Sequence, residues 1–302
     1  AKCRASPDAM MEEKRLAQQK TVPMELRSKK PEGILFGKQN ASYIRKPITE
    51  DGHVLVIGGS GSGKSSSSVI PTLLSNPHTA VFALDIKGEL SFKTAKRTDS
   101  NTLIVNPSDR SCAGYDPLYM LTSESGEMQI YETMRLIAES LISIPGDTRD
   151  PFWKTAARNL LTGMLIYGYK EGDKNFISLV DQILRKPVKD SVAEIMEKAD
   201  PASTERKYIV QFEGLADETL GGIVTEMSNH LALFANDRNV RYALRDNPVK
   251  ATPKMLNDGY SIYLVIQEHQ LSSYYDFLQL VLNQTFFELE QRPENAKPVL
   301  FI

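Results

Sequence analysis

The chain has 302 residues, of which 41% are hydrophobic and 25% are charged, and its formal net charge is −2. This length allows a buried α/β core and suggests about two domains, while the composition excludes a disordered or collagen-like chain. The net charge gives no sign of nucleic-acid binding by the whole surface. Residues 1–50, however, hold eleven lysines and arginines against six acidic residues. This surplus of five makes the N-terminal segment a candidate contact for anionic lipid or a partner, or else a solvated charged helix.

Cysteines and apolar runs give information about the cellular setting. Cys3 and Cys112 are too few for a disulfide framework or a metal cluster, so a reducing, cytosolic setting is favoured. No apolar run approaches the ~18–20 residues of a membrane-spanning helix and no signal peptide is visible, so we predict that the chain as given is soluble. Its ends at Ala1 and Ile302 indicate an excerpt of a longer protein. The histidines show no ligand spacing, so no metal other than Mg²⁺ is predicted; they are His53, His78, His230 and His269.

The first third of the chain shows an alternating pattern after an N-terminal arm. Residues 9–20 predict a charged helix, and residues 33–37 a short strand entering the core. Strand patterns then alternate with helix patterns, as in a parallel sheet that helices cover on both faces. The predicted strands are 53–57, 80–84 and 102–105, and the predicted helices lie near 63–75 and 88–97.

The pattern becomes helical between about residues 126 and 246 and then returns to strands. The predicted helices of this block are 128–141, 152–169, 176–184 and 219–234. A strand at 261–266, a helix at 274–289 and the beginning of a strand at 299–302 follow. We therefore predict an α/β fold with a mostly parallel sheet that an all-α domain interrupts. The predicted domains are a charged arm (1–32), a first nucleotide-binding part (33–120), an all-α insertion (121–250) and a second nucleotide-binding part (251–302).

The segment 53–65 satisfies G-x-x-x-x-G-K-[ST], with an apolar run before it and a helix pattern after it. Glycines let backbone N–H groups converge on phosphate oxygens, Lys64 reaches the terminal phosphates, and Ser65 ligates Mg²⁺ at a positive helix N-terminus. The alternative is a Gly/Ser linker, which the flanking elements disfavour. The predicted nucleotide-binding residues are Gly58, Gly59, Ser60, Gly61, Ser62, Gly63, Lys64, Ser65 and Ser66, with Lys64 as the catalytic residue.

Polar residues follow two other predicted strands. Asp85, Lys87 and Glu89 come at the carboxyl end of one core strand, where α/β folds place ligand-binding groups. Their alternatives are a capped strand-to-helix turn, or Asp85 as the acidic end of a Walker B strand that orients Mg²⁺. Gln267 and Glu268 end the strand 261–266, where Gln267 is a candidate γ-phosphate sensor or a plain capped strand end.

Two further sets of residues have both a functional and a structural interpretation. Arg238, Arg241 and Arg245 are candidates for an arginine that completes a neighbouring subunit's site, although an exposed basic helix face is favoured. Trp153 beside Phe152 could offer a stacking platform for bases of single strands. Apolar residues at helical spacing favour a place in the helical core instead; they are Ala156, Ala157, Leu160 and Leu161.

These motifs occur in an order that resembles the type IV secretion coupling proteins, the TraG-like and TrwB-like ATPases of bacterial conjugation. The resemblance covers residues 33–302. Its motifs are the P-loop at 53–65, Asp-Ile-Lys-Gly-Glu at 85–89, Tyr-Asp-Pro-Leu at 115–118, Asp-Pro-Phe-Trp at 150–153 and Lys-Pro-Val-Leu-Phe-Ile at 297–302. In that family the Walker B aspartate and its neighbouring glutamate follow an apolar run like 299–302, so the resemblance implies that these residues lie beyond Ile302.

The resemblance implies a RecA-like P-loop motor domain with ATP and Mg²⁺, interrupted by an all-α domain. It also implies a homo-hexameric ring, anchored by a membrane segment outside this chain at the cytoplasmic face of the bacterial plasma membrane. Such a ring would recruit a relaxase with its single-stranded DNA, or a protein, and drive transfer into the type IV secretion channel. The resemblance implies ATP hydrolysis by the whole protein but not by this excerpt, because the Walker B residues would lie outside it. The alternative is a nucleotide-gated cargo-recruitment module without DNA pumping, and a P-loop ATPase unrelated to secretion is a third interpretation.

Overall fold

The computed structural model of the chain describes residues 22–50, 52–59, 61–97 and 101–302. The predicted helix at 9–20, Cys3 and Ser60 therefore lie outside the described residues. The chain divides into two compact units. The first comprises the described residues of Ala1–Thr79 and Phe92–Ser100, and the second comprises Ala80–Ser91 and Asn101–Ile302.

The first unit contains a small antiparallel sheet. Its strands are β1 (Arg27–Ser28), β2 (Ile34–Gln39) and β3 (Ser42–Lys46), in the order β1-β3-β2. The turn between β2 and β3 includes Asn40 at φ 53°, a left-handed conformation that asparagine tolerates better than most residues. The sequence indicated only one short strand near 33–37, because a hairpin partner with so little apolar alternation gives a weak pattern.

A helical segment of the first unit is attached to strand β2 by side-chain hydrogen bonds. It begins with a π-helical turn, Ser65–Val69, and continues as helix α1, Ile70–Ser75. The Thr72 hydroxyl accepts a hydrogen bond from the Leu35 amide at 2.9 Å, and the Ser68 hydroxyl donates to the Leu35 carbonyl oxygen at 2.7 Å. Both backbone groups of the buried Leu35 are thereby satisfied, which fixes the start of the helix against the sheet.

The second unit contains a four-stranded sheet in which all pairs are parallel. Its strands are β4 (Ala80–Asp85), β5 (Thr102–Val105), β8 (Ser261–Val265) and β9 (Val299–Phe301), in the order β5-β8-β4-β9. A separate two-stranded pair joins β6 (Gly114–Tyr115) and β7 (Lys250–Ala251). Strand β8 is buried along its whole length, as expected for a central parallel strand. The predicted α/β class with a mostly parallel sheet is confirmed.

The helices of the chain after α1 include those of the predicted insertion. They are α2 (Glu89–Thr94), α3 (Glu127–Leu141), α4 (Phe152–Lys170), α5 (Phe176–Leu184), α6 (Val188–Lys198), α7 (Thr204–Ile209), α8 (Asp217–Asn236), α9 (Arg238–Arg241) and α10 (Tyr275–Glu290). All four helices predicted for the insertion are confirmed, and the three that the sequence pattern did not show are α6, α7 and α9. Helix α6 is amphipathic but has few apolar residues, and α7 and α9 are only six and four residues long, so none of them contains a long apolar pattern.

Helix α10 is joined to the loop after β6 by a buried polar network. The Tyr115 hydroxyl donates a hydrogen bond to Oε1 of Gln284 at 2.8 Å, and Nε2 of Gln284 donates to the carbonyl oxygen of Pro117, also at 2.8 Å. Burial raises the pKa of Tyr115 well above its ordinary value, so the hydroxyl keeps its proton for this bond. A satisfied network of this kind fixes one arrangement of helix and loop.

The predicted domain boundaries near residues 120 and 250 stay a prediction, because the sheet strands and the helical block belong to one compact unit. Within the part of the chain that the structure describes, no helix combines the length and the apolar character needed to cross a bilayer.

Candidate nucleotide-binding site

Residues 53–59 lead into the predicted phosphate loop, and the prediction of a strand at 53–57 was wrong. They form no strand and pair with none of the described strands. Leu55 and Ile57 are 84% and 85% exposed, so the apolar run is not in a core. An apolar run becomes a strand only where a neighbour binds its N–H and C=O groups, and local sequence does not supply that neighbour.

The phosphate loop itself has the backbone conformation that its glycines allow. Gly61 and Gly63 have φ values of 75° and 82°, in the left-handed region that side chains disfavour. The amide of Ser62 donates a hydrogen bond to the carbonyl oxygen of Gly59 at 3.2 Å, which closes a turn. A Cβ atom on Gly58 would lie 2.6 Å from the Ser62 hydroxyl, so this close approach also requires glycine. These observations explain the glycines at positions 58, 61 and 63, whereas Gly59 has neither a positive φ nor a close neighbour for a Cβ atom.

Lys64 folds back over the loop. Its ammonium group donates hydrogen bonds to the carbonyl oxygens of Gly58 and Gly59, the second at 3.0 Å. The positive charge is therefore held beside the loop, at the N-terminal start of the helical segment that begins at Ser65. A helix N-terminus and a lysine ammonium group together favour a phosphate group, which would replace the carbonyl oxygens as the partner of the lysine.

The serines after Lys64 divide into two groups. The hydroxyls of Ser66 and Ser67 donate to the carbonyl oxygen of Gly63 at 3.1 and 2.7 Å, so they stabilise the loop. The hydroxyl of Ser65 makes no hydrogen bond to the residues that the structure describes. It is therefore free to ligate Mg²⁺, the role predicted for it, and the donor set fits a Mg²⁺ site completed by phosphate oxygens and water.

In the second unit, Asp85 lies at the end of strand β4 and is 3% exposed. Its Oδ2 accepts hydrogen bonds from the Ser91 amide at 2.8 Å and from the Ser91 hydroxyl at 2.9 Å. Asp85 therefore caps the first turn of helix α2, which was the structural alternative for this residue. Sequence reasoning did not identify Ser91 as the partner, since a cap six residues away depends on the shape of the intervening turn.

The other residues predicted near this strand end are placed separately. Lys87 is exposed in the turn, and Glu89 begins helix α2. Gln267 is exposed directly after β8, whose Val265 is the register partner of Asp85. Asp85 and Gln267 therefore lie at the same carboxyl edge of the sheet, where ligand-binding residues of parallel sheets are found.

The three candidate arginines differ in their surroundings. Arg241 makes a bidentate pair with Asp181 at 2.8 and 2.7 Å, which raises the pKa of Arg241 and lowers the pKa of Asp181. Arg245 pairs with Asp246 at 2.9 Å. Arg238 is exposed and has no ion pair among the described residues. Of the three, Arg238 is thus the arginine whose charge is not paired by any of the described residues.

Trp153, which lies beside Phe152, was favoured as a core residue, and the structure only partly agrees. The predicted partners on helix α4 are buried: Ala156, Ala157, Leu160 and Leu161. Trp153 and Phe152 themselves are 39% and 52% exposed, because they lie in the first turn of the helix, and its buried residues begin at Ala156.

Comparison with known protein families gives one match over nearly the whole chain. The family model described as Type IV secretory system Conjugative DNA transfer matches residues 5–302. The conjugal transfer protein TraG of Escherichia coli is 24% identical over 275 residues, which are 85% of this chain and 42% of TraG. The coupling protein VirD4 of Bartonella quintana is 25% identical over 192 residues, 58% of this chain and 29% of VirD4. The chain thus spans less than half the length of these relatives.

Solved structures show the same fold. The conjugative coupling protein TrwB, without its first 70 residues, matches with a TM-score of 0.60 at 14% identity, over 80% of this chain and 52% of that one. TrwB in complex with ADPNP gives the same TM-score, identity and share of this chain, with 54% of TrwB covered. The RecA-like P-loop architecture implied by the resemblance is therefore confirmed.

Proposed function

The chain belongs to the family described as Type IV secretory system Conjugative DNA transfer, and from that premise we propose that it is the ATP-binding motor part of a conjugation coupling protein. The observation that carries this proposal is the phosphate loop. Its left-handed glycines, the ammonium group of Lys64 over the loop and the free hydroxyl of Ser65 provide the groups that hold a triphosphate.

In this proposal each residue of the loop has one task. Lys64 exchanges the carbonyl oxygens of Gly58 and Gly59 for the β- and γ-phosphate oxygens of ATP, and Ser65 ligates Mg²⁺. When bound, Mg²⁺ would neutralise part of the negative charge that develops on the phosphates during transfer. Structures of TrwB with ADPNP, and with ADP and Mg²⁺, support the choice of ligand.

The remaining parts of the function rest on family membership. The whole protein would form a homo-hexamer at the cytoplasmic face of the membrane, recruit a relaxase with its single-stranded DNA, and drive transfer into the secretion channel. Arg238 is the candidate that would reach a neighbour's nucleotide, since Arg241 and Arg245 are engaged in ion pairs. Gln267, exposed at the carboxyl edge of the sheet, is the candidate sensor of the γ-phosphate.

The test is ATP turnover by the whole protein, with and without single-stranded DNA, measured over a range of protein concentrations because a ring forms only by association. We expect turnover that DNA stimulates and that Lys64→Ala abolishes. Lys29→Ala, which removes an exposed lysine of the same unit, is the matched control and should leave turnover unchanged. Mg-ATP binding without any DNA-stimulated turnover would contradict the motor and favour nucleotide-gated recruitment of cargo.

A further inference from the structure

A cleft open to solvent lies at the start of helix α4, within the second unit. Its volume is about 280 Å³, close to the lower end of the range of small-molecule sites. Its lining residues are Asp150, Pro151, Phe152, Thr155, Ala156, Asn159 and Gln211. Three residues of the family motif, at positions 150–152, thus form one wall of this cleft.

One wall of this cleft is aromatic. Phe152 is 52% exposed and lines the cleft, with its ring edge-to-face against Trp153 at a centroid distance of 5.1 Å. The Trp153 indole lies against Gly222 of helix α8, where a Cβ atom would be 2.7 Å from the ring. The pair is therefore supported from behind while Phe152 offers its ring to solvent. An exposed aromatic ring on a rigid helix is a surface on which a base can stack.

Two of the polar residues that line the cleft, Asp150 and Gln211, each have a side-chain oxygen available as an acceptor, while Thr155 and Asn159 add groups that can also donate. Oδ1 of Asp150 accepts a hydrogen bond from the Phe152 amide at 3.2 Å, while Oδ2 of Asp150 bonds to none of the described residues. Nε2 of Gln211 donates to the carbonyl oxygen of Tyr208 at 3.0 Å, which leaves Oε1 of Gln211 without a partner among them. Two acceptors beside an aromatic ring match a planar ligand that carries an amino group on its edge.

We propose that this cleft binds one base of single-stranded DNA, stacked on Phe152, with an exocyclic amino group directed to Asp150 and Gln211. Adenine, cytosine and guanine carry such a group, whereas thymine does not. Arg149, exposed next to the cleft, supplies a positive charge for the adjoining phosphate. The inference rests on the proposed role in DNA transfer and adds a contact outside the phosphate loop.

Trp153 is the only tryptophan of the chain, so tryptophan emission comes from a ring in direct contact with Phe152 of the cleft. The experiment titrates the full chain with oligo-dC and oligo-dT, following tryptophan emission and, in parallel, the anisotropy of a labelled oligonucleotide. We expect oligo-dC to change the emission and to bind more tightly than oligo-dT. Phe152→Ala should weaken oligo-dC binding roughly tenfold, the loss expected for one stacked base. Asp150→Asn should reduce the preference for oligo-dC.

Tyr275→Ala is the matched control, because Tyr275 is 48% exposed and lies on another helix. It should leave oligo-dC binding unchanged. The inference is overturned if Phe152→Ala binds DNA in the anisotropy experiment with the affinity of the wild type and shows the same change of tryptophan emission. It is also overturned if Phe152→Ala impairs capture of a relaxase but not of DNA, because the cleft would then dock protein. Absence of any DNA binding would contradict both this inference and the proposed function, whereas unaltered binding by Phe152→Ala contradicts only the cleft.

Discussion

The ammonium group of Lys64 lies 3.0 Å from the carbonyl oxygen of Gly59, within a loop whose next glycines take left-handed conformations. The loop therefore combines a positive charge with a backbone conformation suited to binding a phosphate group. Both depend on a conformation that glycine adopts at little cost, so substitutions of the loop glycines test whether that conformation is needed for binding.

Gly61→Ala and Gly59→Ala make a matched pair, because a Cβ atom at either position meets no atom within 4 Å. They differ in backbone conformation, since only Gly61 has a positive φ, of 75°. A left-handed alanine costs ~1–2 kcal/mol, so Gly61→Ala should weaken Mg-ATP affinity by roughly 5- to 30-fold and Gly59→Ala much less. Isothermal calorimetry measures both affinities. Equal losses in the two variants would show that the left-handed conformation is not what binding requires.

Asp85→Ala should lower the free energy of unfolding by ~1–3 kcal/mol, because it leaves the amide of Ser91 buried without a partner. Ser91→Ala should cost less, since its amide keeps the bond to Asp85 and only the hydroxyl contact is lost. Urea denaturation of both variants measures the difference. An Asp85→Ala protein of normal stability that has lost ATP turnover would instead give Asp85 the role of a Mg²⁺-orienting acid.

Gly221 and Gly222 are neighbours on helix α8 with different surroundings. Gly221→Ala should raise the free energy of unfolding by ~0.5–1 kcal/mol, because alanine is the better helix former and its Cβ atom meets nothing within 4 Å. Gly222→Ala should gain nothing or lose stability, since the new Cβ atom would lie 2.7 Å from Trp153. Thermal unfolding and the tryptophan emission maximum test this. A shift of the emission in Gly221→Ala but not in Gly222→Ala would contradict the placement of the indole.

Glu194 provides a pH-dependent contribution to stability. Its hydrogen bonds with Lys186 and Lys198 lower the pKa of Glu194 from an ordinary value of 4.5 to about 2. The folded state therefore binds the proton less readily than the unfolded state, so the contribution is present above about pH 4.5 and is lost as the pH falls towards 2.

Glu194→Gln should accordingly be less stable than the wild type at pH 7, and the difference should shrink between pH 4.5 and pH 2.5. Glu197→Gln is the control, because Glu197 is exposed on the same helix and forms no ion pair among the described residues. Urea denaturation at several pH values measures both. A difference between wild type and Glu194→Gln that stays constant with pH would show that the ion pairs do not form.

The sequence predicted the elements of the second unit well because their signals are local. Strand β8 is a continuous apolar run and helix α5 has strong apolar periodicity, and both were predicted within a residue of their bounds. Strand β3 and helices α6 and α7 were missed, since β3 is only partly buried along its length and the two helices contain few apolar residues.

For the candidate site, the sequence indicated which residues could bind phosphate but not how the surrounding segments pack. The motif identified the phosphate-loop residues because each chemical task requires one residue type at one spacing, as with Lys64 and Ser65. It did not show that the apolar run before the loop would be exposed and unpaired, because pairing depends on a strand elsewhere in the chain. Nor did it show that Asp85 would cap a helix through Ser91, or that Phe152 would be exposed, since both depend on tertiary packing.

The central claim is that the phosphate loop binds Mg-ATP through Lys64 and Ser65, and the most direct measurement is calorimetric titration of the chain with Mg-ATP. We predict saturable binding that weakens at least tenfold in Lys64→Ala and on removal of Mg²⁺ by a chelator, with Lys29→Ala binding as the wild type does. Ser65→Ala should lose affinity for Mg-ATP while keeping its affinity for ATP without Mg²⁺. Binding of equal strength in the wild type and Lys64→Ala would contradict the account.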